Sequence, residues 1–296
     1  MTATVPDNPR LERLLNSSAR HSYDPLVDID WNAPVPQDKW GMLPKRMSLY
    51  GTDLWDSLTE EQRLTLSWHE VASISSVGIW FEVILMQMML RDLYDDDPKS
   101  MHMHYALTEV ADECRHSTMF GKAIDHFGVP AYGPPPAIFK LGRLFTKIVR
   151  GPSSYGAILV AEEILDSWQR EMLHDESIQP VVRMVSKIHV LEEARHMAFA
   201  REEVSRMMPS LNKTQRTIQQ FQVAQVSAFV AKSLINPAVY ESVGIDPRVG
   251  RRTAWKNPYY IETLNQLGTK PVAFLREVGL ISPRTEPIWR SGHLIP

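Results

Sequence analysis

Two five-residue stretches say nearly the same thing. Asp112-Glu113-Cys114-Arg115-His116 and Glu192-Glu193-Ala194-Arg195-His196 lie 80 residues apart, and each contains Glu-x-x-His. Residues three apart on a helix share a face, so Glu113 with His116, and Glu193 with His196, can each aim a carboxylate and an imidazole at one point. Counting outward finds two more acids in the same register: Glu82 is 31 residues before Glu113, and Glu162 is 31 residues before Glu193. A lone Glu-x-x-His is a weak signal. Four positions agreeing in three separate offsets are a strong one, and the chemistry they suit is metal binding.

Four buried glutamates would repel one another and lose their hydration at severe cost unless cations neutralise them. Two divalent ions balance four carboxylates. Carboxylate and imidazole without thiolate suit iron or manganese better than zinc, and redox chemistry favours two iron ions, cycling between Fe2+ and Fe3+, with manganese as a substitute. One Glu from each of two helices, with Glu-x-x-His from each of two others, is the ligand pattern of ferritin-like bundles. The expected fold is therefore all-α, a ferritin-like helical bundle with a dinuclear metal site in its core. Glu113 and Glu193 are expected to bridge the ions, and Glu82 and Glu162 to be terminal.

Neighbouring residues carry less certain signals. His189, Glu193 and His196 stand at i, i+4 and i+7, so His189 either reaches the same metal or is a satisfied core histidine. Its counterpart in the first half is Glu109. Asp112 and Glu192 match each other; each either accepts the second N–H of an imidazole, in its own motif or across to the other, or faces solvent. Arg115 and Arg195 would pair with such acids. Glu70 falls out of register, and Glu163 is turned about 100° from Glu162 around the helix. His69, His102, His104, His126 and His174 have no partner in register and read as structural or exposed. Gly78, Ile79, Met86, Ile158 and Leu165, one turn from candidate ligands, line either a pocket or ordinary core.

The elements that must position these groups are helices. Residues 1–58 are rich in Pro, Asp and Trp and read as an extended wrap. Thr59-x-x-Gln62 is a capping box that opens a helix to about Tyr94. Asp97-Pro98 reads as an N-cap with proline at N1, starting a helix to His126. Helices are expected over about 137–149, 154–174, 177–207 and 213–234, and prolines after 237 predict short helices and turns. The two halves, about 59–127 and 153–208, form a structural repeat within one domain of 296 residues, whose core is 59–236.

A net charge of -3 gives no electrostatic case for nucleic acid or an anionic membrane. The one cysteine, Cys114, allows no internal disulfide and suits a cytoplasmic setting. Val77–Leu90 is the most apolar stretch, but it holds Glu82 and is short for a membrane span, so it reads as a buried core helix.

These residues resemble the AurF-like diiron N-oxygenases, the p-aminobenzoate N-oxygenase type. The likeness covers roughly residues 60–208 and rests on Val160-Ala161-Glu162, Asp112-Glu113-x-x-His116 and His189-x-x-x-Glu193-x-x-His196. The resemblance implies a ligand set of Glu82, Glu113, His116, Glu162, His189, Glu193 and His196. It further implies an O2-activating monooxygenase that N-oxygenates an aromatic amine through a peroxo-diiron species, with an external electron donor and a homodimeric assembly. Two departures stand out: the segment between Glu82 and the Asp-Asp-Pro turn is shorter than the family's, and Glu109 is an unexpected acid. The scaffold alone also allows a C–H hydroxylase or desaturase, or a non-catalytic iron-binding protein. A radical-storing subunit would need a tyrosine at the metal, and Tyr105 lies slightly off the face of Glu113.

Overall fold

The computed structural model describes residues 9–296, and among them the chain forms helices and no strand. Among residues 9–59 the chain forms three short α-helices, Pro9–Arg20 (α1), Pro25–Asp28 (α2) and Asp53–Ser57 (α3), and a single 3-10 turn at Pro44–Arg46. The expected wrap is thus partly helical. α1 is strongly two-faced and buries Leu11 on the bundle, a face too short to stand out among the surrounding prolines. The tryptophans of this region do anchor it: Trp40 stacks on Trp55, with centroids 6.4 Å apart.

Glu60–Leu93 (α4) starts at the capping box expected of Thr59 and Gln62. It is long and apolar enough to cross a membrane, yet over half of its most apolar window is buried in protein. Met101–His126 (α5) is capped by Ser100, whose side chain accepts from the Met103 N–H. Asp97, the expected cap, instead closes a turn onto the Lys99 N–H at 2.9 Å.

Pro136–Ile148 (α6) leads through Gly151, at φ 77°, into Pro152–Met172 (α7). Pro180–Met207 (α8) begins three residues later than periodicity suggests. Residues 177–179 bond to the wrap instead: the Trp40 N–H donates to the Ser177 carbonyl at 2.9 Å, and the Gln179 N–H to the Trp40 carbonyl at 2.8 Å. Pro180 then takes N1, where its missing N–H costs nothing.

Lys213–Ser233 (α9) opens with a capping box of Asn212 and Gln215. Beyond it come Pro247–Lys256 (α10), Pro258–Glu277 (α11) and Glu286–Ser291 (α12). The 20-residue α11 runs through Pro271, which proline counting had read as a break. Burial explains the difference. Pro271, Val272 and Leu275 pack inward, and α11 lies against α7, where a Cβ on Gly156 would sit 3.3 Å from Leu275. Packing outweighs the lost hydrogen bond.

α4 packs along α5 and α7 along α8, and α5 meets α8 across the middle. α7 is buried over nearly its whole length, which its run of Ala, Ile, Leu and Val requires.

Glu70, out of register for the metal cluster, ties the ends of the chain to α4. It is fully buried, accepts from the Ser48 N–H at 3.1 Å and from the Ser48 hydroxyl, and Ser48 pairs with the Tyr240 hydroxyl at 2.9 Å. Burial pushes its carboxyl up to about 7, against the pull of the Ser48 hydrogen bonds. A carboxyl raised on folding contributes stability that is full below about pH 4.5 and is lost as pH rises through about 7, roughly 3 kcal/mol at most. Glu70→Gln should therefore gain stability relative to the parent between pH 5 and 8. Parallel unfolding curves for the two proteins across that range would refute the assignment.

Candidate metal centre

All seven residues singled out by spacing and resemblance come together. Glu82 comes from α4, Glu113 and His116 from α5, Glu162 from α7, and His189, Glu193 and His196 from α8. They fall into three overlapping sets whose facing atoms lie within 4.8 Å of one another: Glu113, His116, Glu193 and His196; Glu82, His116 and His189; Glu162, His189 and Glu193. Each is at most 1% exposed.

His116 and His196 turn Nδ1 inward. His116 Nδ1 lies 3.0 Å from Glu113 and 3.1 Å from Glu193; His196 Nδ1 lies 2.9 Å from Glu113 and 3.1 Å from Glu193. Their outer nitrogens cross over. His116 Nε2–H donates to Glu192 at 2.8 Å, and His196 Nε2–H donates to Asp112 at 3.2 Å. The acid of each motif thus orients the imidazole of the other.

Arg195 reaches Asp112 at 3.3 Å and Glu192 at 3.7 Å, and Arg115 pairs with Asp112. Residues 21–23 close the outside. The Tyr23 N–H donates to Glu192 at 3.0 Å, and Arg195 donates to the His21 carbonyl at 3.2 Å.

His189 has the opposite orientation. Its Nδ1–H donates to the side-chain oxygen of Gln169 at 2.7 Å, leaving Nε2 3.6 Å from Glu193, 3.7 Å from Glu82 and 4.0 Å from Glu162. Sequence reasoning missed Gln169. The available signal was its place seven residues after Glu162, on the same helical face. Glu109, the counterpart of His189, is buried with one oxygen unpartnered, but belongs to none of the three sets. The remaining histidines lie elsewhere: His69 meets Tyr132, His102 pairs with Asp96 and Glu203, His104 reaches the Pro98 carbonyl, His126 packs on Trp31, and His174 is exposed. Glu163 pairs with Arg201. Tyr105 is buried against Phe199 with its hydroxyl unpartnered.

Charge is unevenly resolved in this pocket. Burial first, and neighbouring carboxylates second, push Glu82 and Glu162 well above the usual carboxylate range. Burial also works against Glu113 and Glu193, yet the surrounding imidazoles hold both below that range. For His116 and His196 the carboxylates overcome burial and raise the rings well above their ordinary value. Burial lowers His189 to about 4, so it is neutral near pH 7.

Both oxygens of Glu82, one each of Glu162 and Glu193, and Nε2 of His189 are buried and find no protein donor or acceptor. Such atoms are costly unless a cation takes them. The donor set, the burial and the orphaned atoms fit a pair of metal ions.

Residues 7–279 match the p-aminobenzoate N-oxygenase AurF family. The chain belongs to that family. The AurF-type chain is accordingly an oxidoreductase, a diiron oxygenase built on a dinuclear metal centre. Curated relatives include the uncharacterized protein MT0908 of Mycobacterium tuberculosis (strain CDC 1551 / Oshkosh) and the uncharacterized protein Mb0909 of Mycobacterium bovis. Both are 26% identical over 294 residues, covering 95% of this chain and 85% of theirs. Among solved structures, it is similar to variants of an R2-like ligand-binding oxidase. One with an anaerobically reconstituted Mn/Fe cofactor is 14% identical, and one with an aerobically reconstituted Fe/Fe cofactor is 15% identical. Each has a TM-score of 0.46 and covers 98% of this chain and 92% of its own.

Metal ions take deprotonated carboxylates and neutral imidazoles, whereas Glu82, Glu162, His116 and His196 are all shifted toward their protonated forms in this cluster. Affinity should therefore rise with pH, and Fe(II) added to weakly buffered metal-free protein near pH 7 should acidify the solution. Uptake without proton release would contradict the charge assignment.

Proposed function

We propose that the chain N-oxygenates an aromatic amine, with Glu82, Glu113, His116, Glu162, His189, Glu193 and His196 holding two iron ions, and manganese able to take the same places. The observation that carries this reading is the third imidazole. A neutral His189 with its free Nε2 aimed at Glu82, Glu162 and Glu193 is the addition that a plain Glu/Glu-x-x-His site lacks.

Held by these seven residues, a metal pair would supply the electrons that activate O2. In balance, the amine nitrogen gains one oxygen atom and the other leaves as water, using two electrons and two protons. Repetition carries the product through hydroxylamine toward nitroso and nitro. The electrons come from an outside donor, because the chain has no Gly-x-Gly-x-x-Gly fingerprint for a nucleotide cofactor.

The chain's residues prepare the site. Asp112 and Glu192 accept the Nε2–H of His196 and His116, fixing the tautomer that presents Nδ1 inward. Gln169 does the same for His189 with the nitrogens exchanged. Phe120, Leu165 and Trp168 wall the His189 side with apolar surface around a void of about 40 Å3, and the Phe120 ring lies 5.0 Å from that of His189.

Protein loaded with Fe(II) and given O2, a reductant and an aromatic amine should yield the arylhydroxylamine, identified by mass spectrometry. Fewer than two metal ions per chain, or oxygen appearing only on ring carbon, would end this reading. Gln169→Leu should keep the fold but lower turnover or metal affinity roughly 10–100-fold, the usual loss when a residue supporting a metal-bound imidazole is removed. Unchanged values would show that the Gln169–His189 bond has no part in the chemistry.

A further inference from the structure

Two apolar voids, sharing part of their walls, lie between the carboxylate cluster and the surface. A cleft of about 540 Å3 opens between α4, α6 and α9, and a void of about 30 Å3 lies beneath it against α7. Phe81, Ile84, Phe145 and Val226 line both, and the inner void ends on Glu162. Ile158, singled out earlier by its spacing from Glu162, lines the same void.

The chemistry of the walls is one-sided. Among the described residues, Gln222, Gln225 and the Trp80 indole carry the outer cleft's polar side-chain groups, and Glu162 carries the inner void's. Among the same residues no Lys, Arg or His lines either; Lys140, Arg143 and Lys147 of α6 are all absent from the lining. The mouth is apolar too, with Leu144 51% and Ile148 56% exposed.

We propose that this cleft is the substrate channel and that it selects an uncharged, elongated apolar amine whose amino group leads toward Glu162. The amine rests on the N-oxygenase reading; the neutral, elongated shape rests on the cleft alone. A carboxylate such as that of p-aminobenzoate, whose N-oxygenase names the family, would be stripped of water here with no cation to receive it. The cleft also exceeds the need of one ring. A cavity of about 150 Å3 holds benzene, so most of the space accommodates an apolar body attached to the aryl amine.

Admission requires part of the wall to move. The 13-residue α6 hangs between Pro134-Pro135-Pro136 and the Gly151-Pro152 joint. It is held to α4 by Arg91 donating to the Thr146 carbonyl and by Phe139 stacking on Trp80 at 6.3 Å between centroids. Gly142 lets the two helices approach, since a Cβ there would run into the Trp80 ring. The inner void is too small for an aromatic ring as it stands, so Phe81 or Phe145 must swing aside for the amine to reach Glu162.

The test uses metal-loaded protein and three probes: p-aminobenzoate, its methyl ester and its butyl ester. Isothermal titration calorimetry should find the butyl ester tightest, the methyl ester next, and the free acid at least about tenfold weaker than the butyl ester. Leu144→Lys and Ile148→Lys, both at exposed positions, should weaken the butyl ester and strengthen the acid. Equal binding of acid and ester, or ester binding unmoved by both lysine variants, would overturn the proposal. So would a parent dimer that the lysine variants dissociate in analytical ultracentrifugation together with no ester binding, because a second copy would then occupy the cleft. If the ester binds there but its nitrogen is never oxygenated, the channel stands and the N-oxygenase reading falls. If p-aminobenzoate is N-oxygenated while the esters neither bind nor react, the reverse holds.

Discussion

Four carboxylates sealed together in a protein interior set the terms for everything around them. Each has given up its water, and repulsion among them grows as the local dielectric falls. The chain answers partly with its own groups. His116 and His196 pull Glu113 and Glu193 below the usual carboxylate range, while burial and neighbouring carboxylates push Glu82 and Glu162 well above it. That answer is incomplete, because buried oxygens of Glu82, Glu162 and Glu193 still lack partners. A pair of metal ions completes it, which makes metal loading part of the folded state's stability. Helices suit this task because their backbone groups are satisfied internally, leaving only side chains to be balanced in the core.

The support beyond the seven residues is a crossed lattice. Asp112 of the first motif holds His196 of the second, and Glu192 of the second holds His116 of the first. Arg195 touches both acids, and residues 21–23 cap them from outside. α5 and α8 are therefore locked in register by polar contacts as well as by packing. A shift of either helix by one turn would separate both acid–imidazole pairs at once. The two motifs are in this sense a single unit, since the outer nitrogen of each imidazole is held by the acid of the other.

The symmetry ends at one position. His189 faces the carboxylates, whereas its counterpart Glu109 is buried outside the three sets. The same asymmetry continues outward. On the His189 side the wall is closed by Phe120, Trp168 and Gln169 around a small void. On the Glu162 side, α4, α6 and α9 leave the large apolar cleft between them. Metal support and substrate access are thereby placed on different flanks of the cluster.

Most of the bundle and six of the seven clustered residues were legible in the spacing, because a helix converts spacing directly into shared faces; His189 was left open by spacing and entered the set through the family resemblance. The offsets of 31 and 80 residues locate Glu82, Glu113, Glu162 and Glu193 without coordinates, and Thr59-x-x-Gln62 marks the start of α4. Where tertiary contacts compete with local pattern, the sequence misled. Ser100 caps α5 in place of Asp97, residues 177–179 bond to Trp40 before α8 begins, and Pro271 rides inside α11. In α1, a short amphipathic helix was hidden among prolines. The partners of the imidazoles were equally beyond reach. Spacing showed that Asp112 and Glu192 matched, but the crossing of α5 and α8 decided which ring each would hold. Gln169 and the apolar cleft exist only because α7, α8, α6 and α9 meet where they do, and contacts between elements distant in sequence leave no period to read.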